Sequence, residues 1–216
     1  METKILLTAF TPFGGERVNP SSLVLEAVAE ERLPGIELDR LVVPTVFVEA
    51  PRQLEERLLK AEFDAVLCLG QAGGRAALCP ERVAINVDDA RIPDNRGQQR
   101  VDEPVVPGGP AAYFSTLPVK AMVEAIRAVD LPARLSNSAG TFVCNHLMYA
   151  LLHLCATTYP RCRAGFMHIP YLPEQVVERA ETPAMSLDDI VRGVEAALLA
   201  IRDQQVDLTL PEGSLH

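Results

Sequence analysis

No apolar run in this 216-residue chain approaches the ~18 residues that a membrane helix needs. The first such run, residues 5–10, is too short for a signal segment, and no small-residue cleavage site follows it. The expected location is therefore the cytoplasm. No C-x-x-C pair occurs, and the five cysteines are an odd number, which argues against a disulfide framework and a zinc site alike. No cluster of Lys and Arg forms a basic patch, and the net charge is -9, so the footprint expected for nucleic-acid binding is missing. The paired glycines at 14–15, 73–74 and 108–109 fit neither G-x-x-x-x-G-K-S/T nor G-x-G-x-x-G. The patterns G-x-S-x-G and H-E-x-x-H are missing too. Nucleotide and metal chemistry are thus unsupported, and no cofactor or metal is expected.

What remains is an ordinary globular balance, 48% hydrophobic and 23% charged, with ample length for an independent core. Short apolar runs at 4–9, 37–43, 65–70 and 163–169 read as strands, with further strands at 81–87 and 133–136. Helical spacing covers 21–32, 51–60, 118–128, the stretch from Cys144 to Leu154, 173–180 and 187–204. Asn19 and Pro20 suit the start of the first helix. Strands and helices alternate without a repeat or a composition shift. The expected fold is a single-domain three-layer α/β/α sandwich with a twisted, largely parallel (mixed) sheet. It should span residues 1–206, with 207–216 as a frayed tail. The 88–110 stretch is rich in Asp, Pro, Gly and Arg. A loop of that length is functional or hides a hairpin.

The stretch N-S-A-G-T-F-V-C-N-H-L-M at 137–148 runs from small turn residues into a helix, with Cys144 at the junction. The positive end of a helix favours thiolate, and its free N–H groups can bind an oxyanion. A free cysteine is also commonly a small core residue, so spacing alone does not make Cys144 a nucleophile. A nucleophilic cysteine needs a base. His146 falls roughly 200° round the helix from Cys144, and His153 is about half a turn out of phase. His216 ends the chain. His168 remains, near the carboxyl end of the next strand, where ligands bind in open α/β sheets. Glu81, Asp88, Asp89 and Asp94 are candidates to orient its imidazole, and the sequence does not rank them. Phe10 and Phe13 follow the first strand and suggest an apolar slot.

Five segments occur in order: T-P-F-G-G-E-R-V-N-P-S at 11–21, G-Q-A-G-G-R at 70–75, E-R-V-A-I-N-V-D-D-A-R-I-P-D-N at 81–95, S-A-G-T-F-V-C-N at 138–145 and M-H-I-P at 167–170. Together they resemble the pyroglutamyl peptidase I family of cysteine peptidases over about residues 5–204. Two departures are small: Thr11 stands where many members carry Glu, and Cys79 is an unusual neighbour for Glu81. The resemblance implies removal of an N-terminal pyroglutamyl residue from peptides through a thioester, with no cofactor. It implies Glu81, His168 and Cys144 as the catalytic set. It implies an oxyanion site of Arg91 and the Cys144 N–H. It places the pyroglutamyl ring among Phe10, Phe13, Ile92 and Val143, with the Gln71 main chain on the lactam. It also implies a homotetramer. A binding protein with an inert Cys144, or a thiol amidase of other specificity, would use the same scaffold.

Overall fold

Strand β1, Thr3–Phe10, is an uninterrupted apolar run because both its faces are covered; its last six residues are buried. A computed structural model describes residues 2–213 and places β1 inside a five-stranded sheet. The other strands are β2 (Ile36–Val43), β3 (Ala65–Gln71), β4 (Cys79–Pro80) and β7 (Arg163–Ile169), in the order β2-β1-β3-β7-β4. All neighbours pair parallel except β4, which runs antiparallel along β7 at the edge. Two further short strands, β5 (Val83–Ile85) and β6 (Ala112–Phe114), form a separate antiparallel pair.

Alternate residues of each central strand feed two cores. Ile5, Leu7, Leu67, Leu69, Met167 and Ile169 face one side. That side is covered by α1 (Pro20–Ala27), α3 (Val119–Arg127) and α5 (Leu187–Asp203). Leu6, Val66, Cys68, Ala164 and Phe166 face the other, under α2 (Glu49–Leu58) and α4 (Val143–Thr157). This is the three-layer sandwich expected from the alternation of elements.

Several boundaries differ from the sequence reading. Of the strand expected at 81–87 only Val83–Ile85 forms, and it joins β6; Cys79–Pro80, just before that range, joins β7. The 133–136 segment contributes only isolated bridges, Leu78 to Ala133 and Glu81 to Ser136. The first helix stops at Ala27, and a short 3-10 turn follows at Glu30–Arg32. Side chains from elsewhere take over its end: Arg40 donates to the carbonyls of Leu25 and Val28, and Glu195 accepts from the N–H of Ala29. The helix expected at 173–180 is one 3-10 turn, Pro173–Gln175. Val177, the apolar residue that would anchor a longer helix, is 82% exposed, so no packing supports one. The long 88–110 loop does hide a hairpin-like ladder, with Asp88 and Glu103 exchanging both main-chain bonds.

Residues 207–213 of the expected tail are docked. The Asp207 carboxylate accepts from the N–H groups of Lys120 and Ala121 in the first turn of α3, and Glu212 pairs with Arg127. His216, set aside in the search for a base, lies outside the described residues.

Candidate active site

The carboxyl ends of β1, β3 and β7 meet at one edge of the sheet. Helix α4 ends at Thr157, just before β7 begins at Arg163. It therefore runs antiparallel to β7 and delivers its N-terminus to that same edge. Cys144 is the second residue of the helix, after the cap residue Phe142. Phe142 offers no side-chain acceptor, so the first-turn N–H groups have no capping bond. A Ser or Asp cap is typically worth about 1 kcal/mol here. A helix start that forgoes it keeps its N–H groups available for an anion.

At the level of His168 the sheet is a row of three register partners: Gly70 on β3, His168 on β7 and Cys79 on β4. A Cβ built on Gly70 would lie 3.0 Å from Cys144 Sγ and 2.6 Å from the Phe166 ring. The missing side chain of Gly70 is therefore the space through which the sulfur reaches over the sheet. Adjacent strands lie roughly 4.8 Å apart, so Sγ lies over the register partner of His168. The Phe166 ring packs against the imidazole at 4.8 Å between centroids.

His168 is buried, and its Nδ1 lies 2.7 Å from Glu81 Oε1. A carboxylate only accepts, so Nδ1 carries the proton and Nε2 is left as an acceptor. Burial pushes the His168 pKa below its ordinary value, against the opposing pull of Glu81. The imidazole is thus neutral and able to take a proton. For the thiol, other influences oppose the pull of the helix terminus. Burial first, then the Glu81 charge, push Cys144 up to about 12, with Arg75 pulling the other way.

The four candidate carboxylates are sorted by their partners. Glu81 serves His168. Asp88 is held by His146 Nδ1 at 2.8 Å and by Arg100 at 2.7 Å, on the side of α4 that helical phase assigned to His146. Asp94 accepts from the N–H groups of Phe47, Arg96 and Gln98 and so shapes its own loop. Asp89 is exposed. His153 pairs with the Tyr113 hydroxyl at 2.9 Å.

The remaining expected residues fall around this edge. Gln71 ends β3, and its side chain accepts from Gln175. The β1–β3 ladder stops at Cys68, and Ile169 accepts from Ala72 on the other flank. The main-chain groups of Gln71 therefore face the crevice beyond β1. Val143 is buried at the start of α4. Phe13 is half-buried and 5.9 Å from Phe142. Phe10 is the last residue of β1, not a loop residue, and it is buried 6.3 Å from Phe166. Ile92 is 42% exposed, with its Cδ1 3.8 Å from where a Cβ on Gly14 would be. Arg91 is exposed. It is close in sequence to a clasp in which Asp89 and Thr141 exchange two bonds of 2.9 and 2.8 Å. That clasp joins its segment to the turn leading into Cys144.

The pyroglutamyl peptidase family model matches residues 3–204. The chain belongs to the pyroglutamyl peptidase family. A pyrrolidone-carboxylate peptidase 1 from Streptococcus pneumoniae is 55% identical over 214 residues, covering 99% of this chain and all of that relative. Among solved structures, a pyroglutamyl peptidase I from Bacillus amyloliquefaciens superposes with a TM-score of 0.94 at 44% identity, over 98% of this chain and 100% of that one. A mutant pyrrolidone carboxyl peptidase from Pyrococcus furiosus gives 0.87 at 40% identity, over 92% and 98%. Family membership, expected from the five segments, and the α/β architecture, expected from the alternation of strands and helices, thus stand.

Three residues of the pyroglutamyl peptidase motifs had no expected role but stand at the centre of the site. One is Gly70, whose missing side chain makes room for the sulfur. Another is Arg75, which contacts Glu81 at 2.7 Å. The third is Asn145, next to the cysteine. It accepts from the N–H of Ile85 and donates to the carbonyls of Ile85 and Val87. A lone Arg, Gly or Asn in a motif carries no sequence signal for such long-range partners.

Proposed function

We propose that the protein removes N-terminal pyroglutamyl residues from peptides, with Cys144 as nucleophile, His168 as general base and acid, and Glu81 as the group that orients it. The observation that carries the reading is a buried, carboxylate-held imidazole whose register partner, Gly70, lies under a thiol at an uncapped helix start. In the first step His168 Nε2 takes the thiol proton as Sγ bonds to the pyroglutamyl carbonyl carbon. Charge develops on the carbonyl oxygen and is met by the Cys144 N–H and the Arg91 side chain. Losing one such donor typically costs roughly 10²–10³ in rate. His168 then gives its proton to the leaving amine as the C–N bond breaks. Water attacks the thioester with His168 again as base, and pyroglutamate leaves as the thiol reforms.

The substrate suits the surroundings. Pyroglutamate is a flat, neutral lactam. A slot lined by Phe13, Ile92 and Val143, floored by Phe10 and read by the Gln71 main chain, receives it without burying a charge. An N-terminal glutamate would bring unpaired charges into the slot at a cost of several kcal/mol, and proline would leave a lactam partner unbonded. No cofactor enters this scheme. All five cysteines are unpaired, which supports a reducing compartment such as the cytoplasm. No helix among the described residues is long and apolar enough to cross a membrane. Exposed Phe114 and Val48, at 68% and 60%, are apolar surface that assembly into a tetramer would cover. One sheet shared by two cores supports a single domain over residues 1–206.

A panel of pyroglutamyl, prolyl and glutaminyl amides, assayed before and after thiol alkylation, tests this reading. Hydrolysis is expected for the pyroglutamyl amide alone and abolished by alkylation. Preference for the glutaminyl amide would instead indicate a thiol amidase, and no turnover of any amide would indicate a binding protein.

A further inference from the structure

Arg75 closes the G-Q-A-G-G-R motif, and nothing in the reaction described above uses it. Its guanidinium spans two parts of the site. Nη1 donates to Glu81 Oε1 at 2.7 Å, the same oxygen that receives His168 Nδ1 at 2.7 Å. Nη2 donates to the carbonyl of Ser138 at 3.1 Å, in the turn leading to Cys144. Glu81 is fully buried, and its other oxygen, Oε2, has no partner among the described residues. The carboxylate is therefore held through one oxygen by two donors, and losing Arg75 leaves His168 Nδ1 as its one hydrogen bond among the described residues.

We propose that Arg75 is a positioning residue of the catalytic array, clamping the Glu81 carboxylate against His168 while tying it to the turn that sets Cys144. This rests on the reading of Glu81, His168 and Cys144 as the catalytic set. The fork geometry suits this role, because a planar guanidinium holds two acceptors at a fixed angle, as an ammonium does not. The charge matters too. A buried carboxylate alone would stabilise the imidazolium and hold His168 protonated. Arg75 partly balances Glu81 and adds to the effect of burial, which lowers the His168 pKa first. The other ionisable groups facing His168 are the thiols of Cys79 on β4 and Cys144 on α4, neither of which carries a fixed charge. Burial is the first cause of the lowered His168 pKa, Glu81 opposes it, and Arg75 adds to it.

Arg75→Met and Arg75→Lys are compared with the parent enzyme by measuring kcat and KM for a pyroglutamyl amide across pH. Arg75→Met removes clamp and charge. Its kcat is expected to fall on the order of tenfold to a hundredfold, the usual cost of a small misplacement of catalytic groups, with KM within about twofold. The acid limb of its kcat/KM profile is expected to move up by about one pH unit, because removing a nearby cation raises the His168 pKa. Arg75→Lys keeps the charge and loses the fork, so its limb should stay in place while kcat falls. Parent-like kcat with an unmoved limb in Arg75→Met overturns the inference. If Arg75→Met does not fold, Arg75→Lys decides: parent-like kcat overturns the clamp, and reduced kcat with an unmoved limb supports it. Cys144→Ala is the control for the underlying reading. If it retains turnover, the catalytic assignment itself fails, whatever Arg75 does. If it is inactive, parent-like behaviour at Arg75 counts against the clamp alone.

Discussion

At the scale of single residues, the site depends as much on an absent side chain as on those present. Gly70 carries no Cβ, and Cys144 Sγ and the Phe166 ring occupy the space one would fill. Gly70→Ala is expected to fold with a loss of roughly 1–3 kcal/mol, the usual cost of overpacking. It should lose far more in kcat than in stability, because the sulfur is the movable neighbour. A thermal melt with steady-state kinetics checks this; unchanged kcat would mean that Sγ does not work from this position. Helical phase and strand-end placement are local properties, so the sequence could pair His168 with Cys144 as candidates and narrow the orienting group to four carboxylates. The choice of Glu81 over Asp88 was not legible from spacing. Among the described residues there are two Arg–carboxylate–His groups, Arg75–Glu81–His168 and Arg100–Asp88–His146. Which one borders the sulfur depends on which strand lies beside β7.

At the scale of elements, the first turn of α4 does three things in three successive residues. Cys144 presents the sulfur, Asn145 bonds the main chain of 85–87, and His146 joins the Asp88–Arg100 pair. The last two tie the 85–103 segment, which carries Arg91 and Ile92, to the helix that carries the nucleophile. Asn145→Ala would strip three bonds from buried or half-buried main-chain groups. A loss of about 3 kcal/mol is expected, read as a lowered denaturant midpoint, with a raised KM as the segment loosens. A midpoint equal to the parent's would refute that role. The parallel strands β1, β3 and β7 were readable because strands buried on both faces appear as continuous apolar runs. The 81–87 stretch was misread because periodicity reports burial and not sheet membership. The chain leaves the main sheet after Pro80 and pairs elsewhere from Val83.

At the scale of the whole molecule, two cores on one sheet hold the carboxyl-end loops at a common edge, and the end of the chain helps to fix one core. Asp207 places a carboxylate on the first turn of α3, where a helix favours negative charge. That docking was invisible in a short polar sequence, because its partner is a helix start far back along the chain. The central claim is that this scaffold makes Cys144 the acyl acceptor. Its most direct test is peptide mapping by mass spectrometry after acid quench of turnover on a pyroglutamyl amide. The account predicts a pyroglutamyl thioester on the peptide containing Cys144, none on Cys68, Cys79, Cys155 or Cys162, and neither adduct nor turnover in a folded Cys144→Ser variant. An adduct on another residue, or parent-like turnover by Cys144→Ser, would contradict it.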